Sequence, residues 1–126
     1  MNFIKIKDVW NNITLICPQL ISKMSLVIYQ DKSYVAICID FIKYFNDINN
    51  SLYIPVAVIH PYERIIKDET FEKLNSDAKS EIRSKHYDLE KIEIDKAMKL
   101  GNEKLEKLLT VLKKYPLDIE EIDFNI

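Results

Sequence analysis

The stretch Ile59-His60-Pro61-Tyr62-Glu63-Arg64 gathers the residue types that acid–base chemistry needs. A histidine changes charge near neutral pH, so His60 can serve as a general base, with Glu63 orienting the imidazole or Tyr62 as a proton partner. The stretch follows an apolar run and precedes a helical pattern, a place where mixed folds present side chains. The same residues also read as structure: a strand-end histidine, Pro61 at a first helical position and Glu63 in a favourable first turn. No serine or cysteine nucleophile is adjacent, so a triad would have to be assembled by the fold.

Other chemistries find less support. Neither His-x-x-x-His nor Cys-x-x-Cys occurs, His60 and His86 are isolated, and no metal or cofactor is expected. Asp31, Asp40 and Glu63 are the carboxylates that a two-metal nuclease site would draw on, but the acidic-residue-then-Glu-x-Lys signature on paired strands is missing. Phosphate-cradling loops need glycines, and Gly101 is the only one, so P-loop and Rossmann fingerprints are absent. Cys17 and Cys38 sit among apolar neighbours and read as inert core thiols. Lys67, Lys73, Lys79, Lys85, Lys91, Lys96 and Lys99 recur almost regularly. They are interleaved with acids, in pairs such as Glu69–Lys73 and Glu81–Lys85, which argues for a solvated face and against nucleic-acid binding.

Binding to protein is the better-supported reading. Seven Tyr and one Trp are many for 126 residues, and Tyr29, Tyr34, Tyr44 and Tyr53 fall on or beside predicted strands where some must face outward. Such residues are enriched in interface hot spots. A second surface is expected on Leu105, Leu108 and Leu112, an apolar stripe that a three-stranded sheet is too small to cover. Gly101 on the same stripe would let the backbone of a second copy approach. A two-fold homodimer follows from that reading.

These residues have to be positioned by a chain with 18 Lys+Arg, 20 Asp+Glu, 48% hydrophobic residues and a net charge of −2. That is a folded, soluble composition and not a basic nucleic-acid binder. No apolar run approaches the roughly 20 residues that span a bilayer, and the N-terminal residues lack a signal-peptide layout, so a cytoplasmic protein is expected. Twenty Ile, 16 Lys and 9 Asn beside a single Gly point to an AT-rich genome.

A single α+β domain over residues 1–126 is expected, with helix plus sheet in 1–66, helix in 67–115 and an acidic tail in 116–126. Phe3, Ile6, Trp10, Ile13, Cys17, Leu20 and Met24 recur at helical spacing and predict an N-terminal helix kinked by Pro18. Runs at 25–30, 34–40 and 52–59 predict an antiparallel three-stranded meander, with Pro55 placing the third strand at an edge or starting it after Pro55. Two stripes, Phe71 to Ile92 and Tyr87 to Tyr115, lie about 200° apart and predict two long helices meeting at 84–88, with Asp88 as a cap. Gly101-Asn102 reads either as a C-cap followed by an N-cap, which would break the second helix again, or, as favoured, as part of a continuous helix that Pro116 ends. Ile122, Phe124 and Ile126 alternate with polar residues, as an edge strand or as a free acidic–hydrophobic tail. The function expected is a non-enzymatic binding module of immunity, anti-defence or adaptor type. A small enzyme around His60 and a nucleic-acid-associated accessory protein are the alternatives.

Overall fold

The computed structural model describes residues 3–29, 31–42, 51–113 and 121–124. Two three-stranded sheets and one long helix make up the fold. Strands β1 (Ile4–Lys7) and β2 (Ile13–Ile16) form an antiparallel hairpin, and a 3-10 turn at Pro18–Leu20 leads into β3 (Ile21–Tyr29). β3, β4 (Tyr34–Phe41) and β5 (Ser51–Val58) form an antiparallel meander with β4 in the centre. A short helix α1 (Asp68–Glu72) precedes α2 (Ser76–Lys113), and β6 (Glu121–Asp123) returns to pair in parallel with β1. The expected turn at 48–51 lies mostly outside the described residues, as do Tyr44, Tyr115, Pro116 and Ile126.

The kinked N-terminal helix is replaced by the β1–β2 hairpin. Ile4, Ile6 and Asp8 are buried in alternation with less buried lysines, the period of a strand. What makes the reversal is turn chemistry. The buried Asp8 carboxylate accepts the backbone N–H groups of Trp10 (2.8 Å) and Asn12 (3.0 Å), and Asn11 takes the left-handed φ of 63° that Asn tolerates. Pro18 opens the 3-10 turn and kinks nothing.

The two long C-terminal helices are one helix of 38 residues, about 57 Å long. It is capped by Asn75, whose side chain accepts the Ala78 N–H at 2.8 Å, and it runs unbroken through 84–88. His86, Ala97, Gly101 and Leu108 are its buried residues, and at 100° per residue they lie within about 60° of arc. Within α2, Ala78, Ile82 and Leu89 of the first stripe flank this face on one side and Ile94, Met98, Leu105 and Leu112 of the second on the other, whereas Phe71 and Leu74 precede the helix and Tyr87 and Ile92 are exposed. The centre of the face also holds Glu90, Glu93 and Lys104, so a search for apolar residues misses it.

One hydrophobic cluster joins the elements: Ile4, Ile6, Ile16, Ile122 and Phe124 of the first sheet, Val35, Ile37, Ile39, Ile54 and Val56 of the meander, and Ala97 and Leu108 of α2. The Val9 N–H donates to the Pro55 carbonyl (3.2 Å), tying the two sheets together. Pro55 lies in edge strand β5, beside a register shift opposite Val35 and Ala36. The Lys104 ammonium donates to the Val56 carbonyl at 2.6 Å in the same irregular stretch, and burial lowers its pKa. No helix among the described residues is long and apolar enough to cross a membrane.

A Cβ on Gly101 would meet Val35 Cγ1 at 2.9 Å, so the helix backbone rides directly on β4. Gly101→Ala gains up to about 1 kcal/mol of helix propensity, but forcing a methyl against a stiff β-branched side chain costs about 1–3 kcal/mol. Urea denaturation should show a net loss of about 1 kcal/mol. In a Val35→Ala background the same substitution should be stabilising.

Candidate functional site

The exit from β5 is pinned to the β3–β4 turn, where the Ile59 N–H donates to the Ser33 carbonyl at 3.0 Å. Asp31 and Lys32 in this turn hold left-handed φ of 51° and 63°. The Lys32 ammonium donates to Glu90 at 2.7 Å, and that hydrogen bond, with the Glu90 charge second, raises the Lys32 pKa. A cleft of about 290 Å³ opens between the turn, the strand exit and α2. His60 and Tyr62 line it, whereas Glu63 lies outside it, exposed. Its carboxylates are Asp31, Glu90 and Glu93, two of them supplied by the helix. Asp40 sits at the far end of β4, so the structure does not bring Asp31, Asp40 and Glu63 together. Among the described residues no group of three or more His, Cys, Asp or Glu is arranged to hold a metal. His60 is exposed, and no hydrogen bond within the described residues orients it.

The second histidine is the structural one. His86 is buried, its Nε2 accepts the Ile65 N–H at 3.1 Å, and its ring lies 5.6 Å from that of Tyr62. Through it the segment after β5 is held on the first half of α2. The sequence signal was there, because His86 shares the helix phase of Gly101 and Leu108.

The meander face turned away from α2 carries the tyrosines. Tyr29 is cross-strand from Tyr34, and Tyr53 from Cys38. The Tyr29 and Tyr53 rings stack at 4.8 Å and 25°, Tyr29 lies 5.4 Å from Tyr34, and Trp10 meets Tyr34 edge-on at 4.8 Å. Tyr34 is 5% exposed, whereas Trp10, Tyr29 and Tyr53 are 48%, 37% and 41% exposed, an open aromatic patch. The structure therefore brings Tyr29, Tyr34 and Tyr53 together and adds Trp10, which the expected N-terminal helix had placed elsewhere. Beside them the Cys38 thiol donates to Asp40 Oδ1 (3.7 Å), and Ser51 donates to the same oxygen (2.6 Å). Burial, then the Asp40 charge, pushes the Cys38 thiol above its ordinary pKa, the direction of an unreactive thiol. Cys17 is also a buried free thiol.

The leucine stripe is not an open surface. Leu108 is 0% exposed in the core, and Leu105 and Leu112 pack against the same cluster. α2 packs on the meander, its core residues join a cluster that also includes residues of the other sheet, and Gly101 makes its close approach to Val35 instead of to a second helix.

Compared with known proteins, the chain matches no family model, no curated protein and no solved structure.

The two histidines should respond differently to removal. His60→Ala is expected to change stability by less than about 0.5 kcal/mol, as exposed positions do, and His86→Ala to cost about 1–3 kcal/mol by leaving the Ile65 N–H without its acceptor. Chemical denaturation measures both.

Alkaline pH should weaken the fold through this face. Cys38 and Tyr34 are both raised from ordinary values of 9.0 and 10.0, in each case first by burial. The folded state holds these protons more tightly than the unfolded chain, so stability is intact below pH 9.0 and falls as pH rises above it. Urea midpoints across this range should decline, and Cys38→Ala should remove the earlier part of the decline.

Proposed function

We propose that the protein is a non-enzymatic binding module that docks a protein partner on the aromatic face of its meander. The observation that carries this reading is the stacked Tyr29–Tyr53 pair, partly exposed beside Trp10 on the meander face opposite the one that Gly101 approaches. Exposed aromatic patches of this kind are typical of recognition surfaces, and Trp and Tyr supply large contact area with few rotors. The partner chemistry that suits it is an apolar surface for the rings, with carbonyl acceptors for the phenol hydroxyls. An immunity, anti-defence or adaptor role is consistent with a small non-enzymatic chain. A cytoplasmic setting fits two cysteines left as free thiols.

The lysine series gives little support to nucleic-acid binding, because Lys79, Lys85 and Lys96 pair with Glu72, Glu81 and Glu93. The His60 cleft gives little support to catalysis, because among the described residues no base–nucleophile hydrogen bond is formed in it.

The test is quantitative co-purification from the source cells. Proteins recovered by the wild-type chain should be lost by a Tyr29→Ala/Tyr53→Ala chain, with a drop of about 30-fold or more if the pair is a hot spot worth about 2 kcal/mol. They should be retained by His60→Ala. Equal recovery by all three chains overturns the reading, and loss with His60→Ala alone moves it to the cleft.

A further inference from the structure

The two sheets have four edge strands, and three of them carry features that discourage further pairing. β3 has the exposed Lys23 beside a register shift. β5 has Pro55 and a register shift, and its Pro55 carbonyl is already taken by the Val9 N–H. β6 carries Glu121 and Asp123. Charges, prolines and bulges are the usual means of blunting an edge.

β2 has none of them. Its sequence, Ile13-Thr14-Leu15-Ile16, is uncharged, its register with β1 is regular, and among the described residues no backbone group pairs with its outer side. Its outward side chains, Ile13 and Leu15, are 54% and 62% exposed, and Phe3 is 55% exposed.

We propose that β2 pairs edge to edge with β2 of a second copy, forming a continuous six-stranded sheet across a two-fold axis. The strand is self-complementary. An antiparallel pair centred on Thr14 sets Ile13 of each copy opposite Leu15 of the other, and Thr14 opposite Thr14. Aliphatic pairs and Thr–Thr pairs are both favourable across strands. The lysines do not oppose it: Lys5 and Lys7 lie on β1, so the two β1 strands are separated by three strand spacings, about 14 Å, which exceeds the Debye length of about 8 Å in physiological salt. Four residues a side make a small interface, so the association is of the weak, concentration-dependent kind. The proposal rests on a different strand from the aromatic face and does not depend on it.

Sedimentation velocity on the full chain from about 10 to 500 µM tests it, a range that spans weak association. The wild type should pass from monomer to dimer. Leu15→Lys should weaken dimerisation at least tenfold with an unchanged melting temperature, because Leu15 is largely exposed. Leu109→Lys, an exposed site on α2, and Tyr29→Ala/Tyr53→Ala should dimerise like the wild type. Under mild oxidation Thr14→Cys should give a covalent dimer that reductant reverses. A wild type monomeric at the highest concentration overturns the proposal. So does a dimer that Leu15→Lys leaves intact, or one that Thr14→Cys fails to cross-link. Loss of the dimer in the double tyrosine variant would move the self-association surface to the aromatic face.

Discussion

The contact between Gly101 and Val35 fixes how close α2 comes to the meander, and much else depends on that distance. A side chain at 101 would occupy the space of Val35 Cγ1, so the helix backbone itself lies against the central strand. From that point the helix runs two ways. Toward its C-terminal end Lys104 reaches the Val56 carbonyl and Leu108 enters the core shared by both sheets. Toward its N-terminal end it passes the β3–β4 turn, where Glu90 meets Lys32, and then the segment after β5 and the Phe71 ring of α1. The Ile65 N–H in that segment needs a hydrogen-bonding partner. A buried His86 at this level satisfies the Ile65 N–H in a way that leucine could not.

A meander with one helix has that helix on one face only, here the face of Val35. The opposite face carries Ala36 at 0% exposure and Cys38 at 8%, so something must shield the central strand. The shield is made of side chains: Tyr29 and Tyr53 stack across the sheet, and Tyr34 is closed in by Tyr29 and by Trp10 from the β1–β2 turn. Ring pairs of this kind add about 0.5–1.5 kcal/mol beyond the area they bury. They also leave ring surface toward solvent, so the residues that close the sheet are the ones available to a partner.

How much of this could be read from sequence varies along the chain. The β-branched runs around 26, 37 and 56 marked the strands of the meander, and Pro55 marked either an edge or a late strand start, of which the structure has the edge, with β5 running through Pro55 from Ser51. The first 24 residues misled because Phe3, Ile6, Trp10, Ile13 and Cys17 fall at helical spacing by coincidence. The stronger signal was Asp8 with Asn11 and Asn12, which builds a turn between two short strands. The supposed break at 84–88 came from ranking apolar residues only. Once His86, Glu90 and Lys104 are counted as facing inward, one straight helix accounts for both stripes. Tyr29, Tyr34 and Tyr53 were legible as surface candidates through their strand positions, but their stacking depends on register, and Trp10 joins them only because the N-terminus is a hairpin. The leucine stripe was misplaced because the reading had no β2–β1–β6 sheet, which contributes Ile4, Ile6 and Phe124 to the core cluster that includes Leu108.

Burial is unevenly spread, and this bears on which surface can recognise anything. β4 is buried from Tyr34 to Ile39, whereas α2 from residue 76 to 96 buries only His86. Local opening follows buried contact, so the walls of the His60 cleft, built from the β5 exit and this half of the helix, should open at lower free energy than the central strand. A catalytic constellation needs its groups held to within about 0.5 Å, and a cleft whose histidine is exposed and without an orienting partner among the described residues is poorly built for that. Shape recognition by rings has the opposite requirement: a rigid base and rings already in place, so that little freedom is lost on binding. Tyr29, Tyr34 and Tyr53 meet it, being anchored on or directly beside the most buried strand of the protein and held against one another. The distribution of the core thus favours the aromatic face over the cleft by an argument independent of residue type.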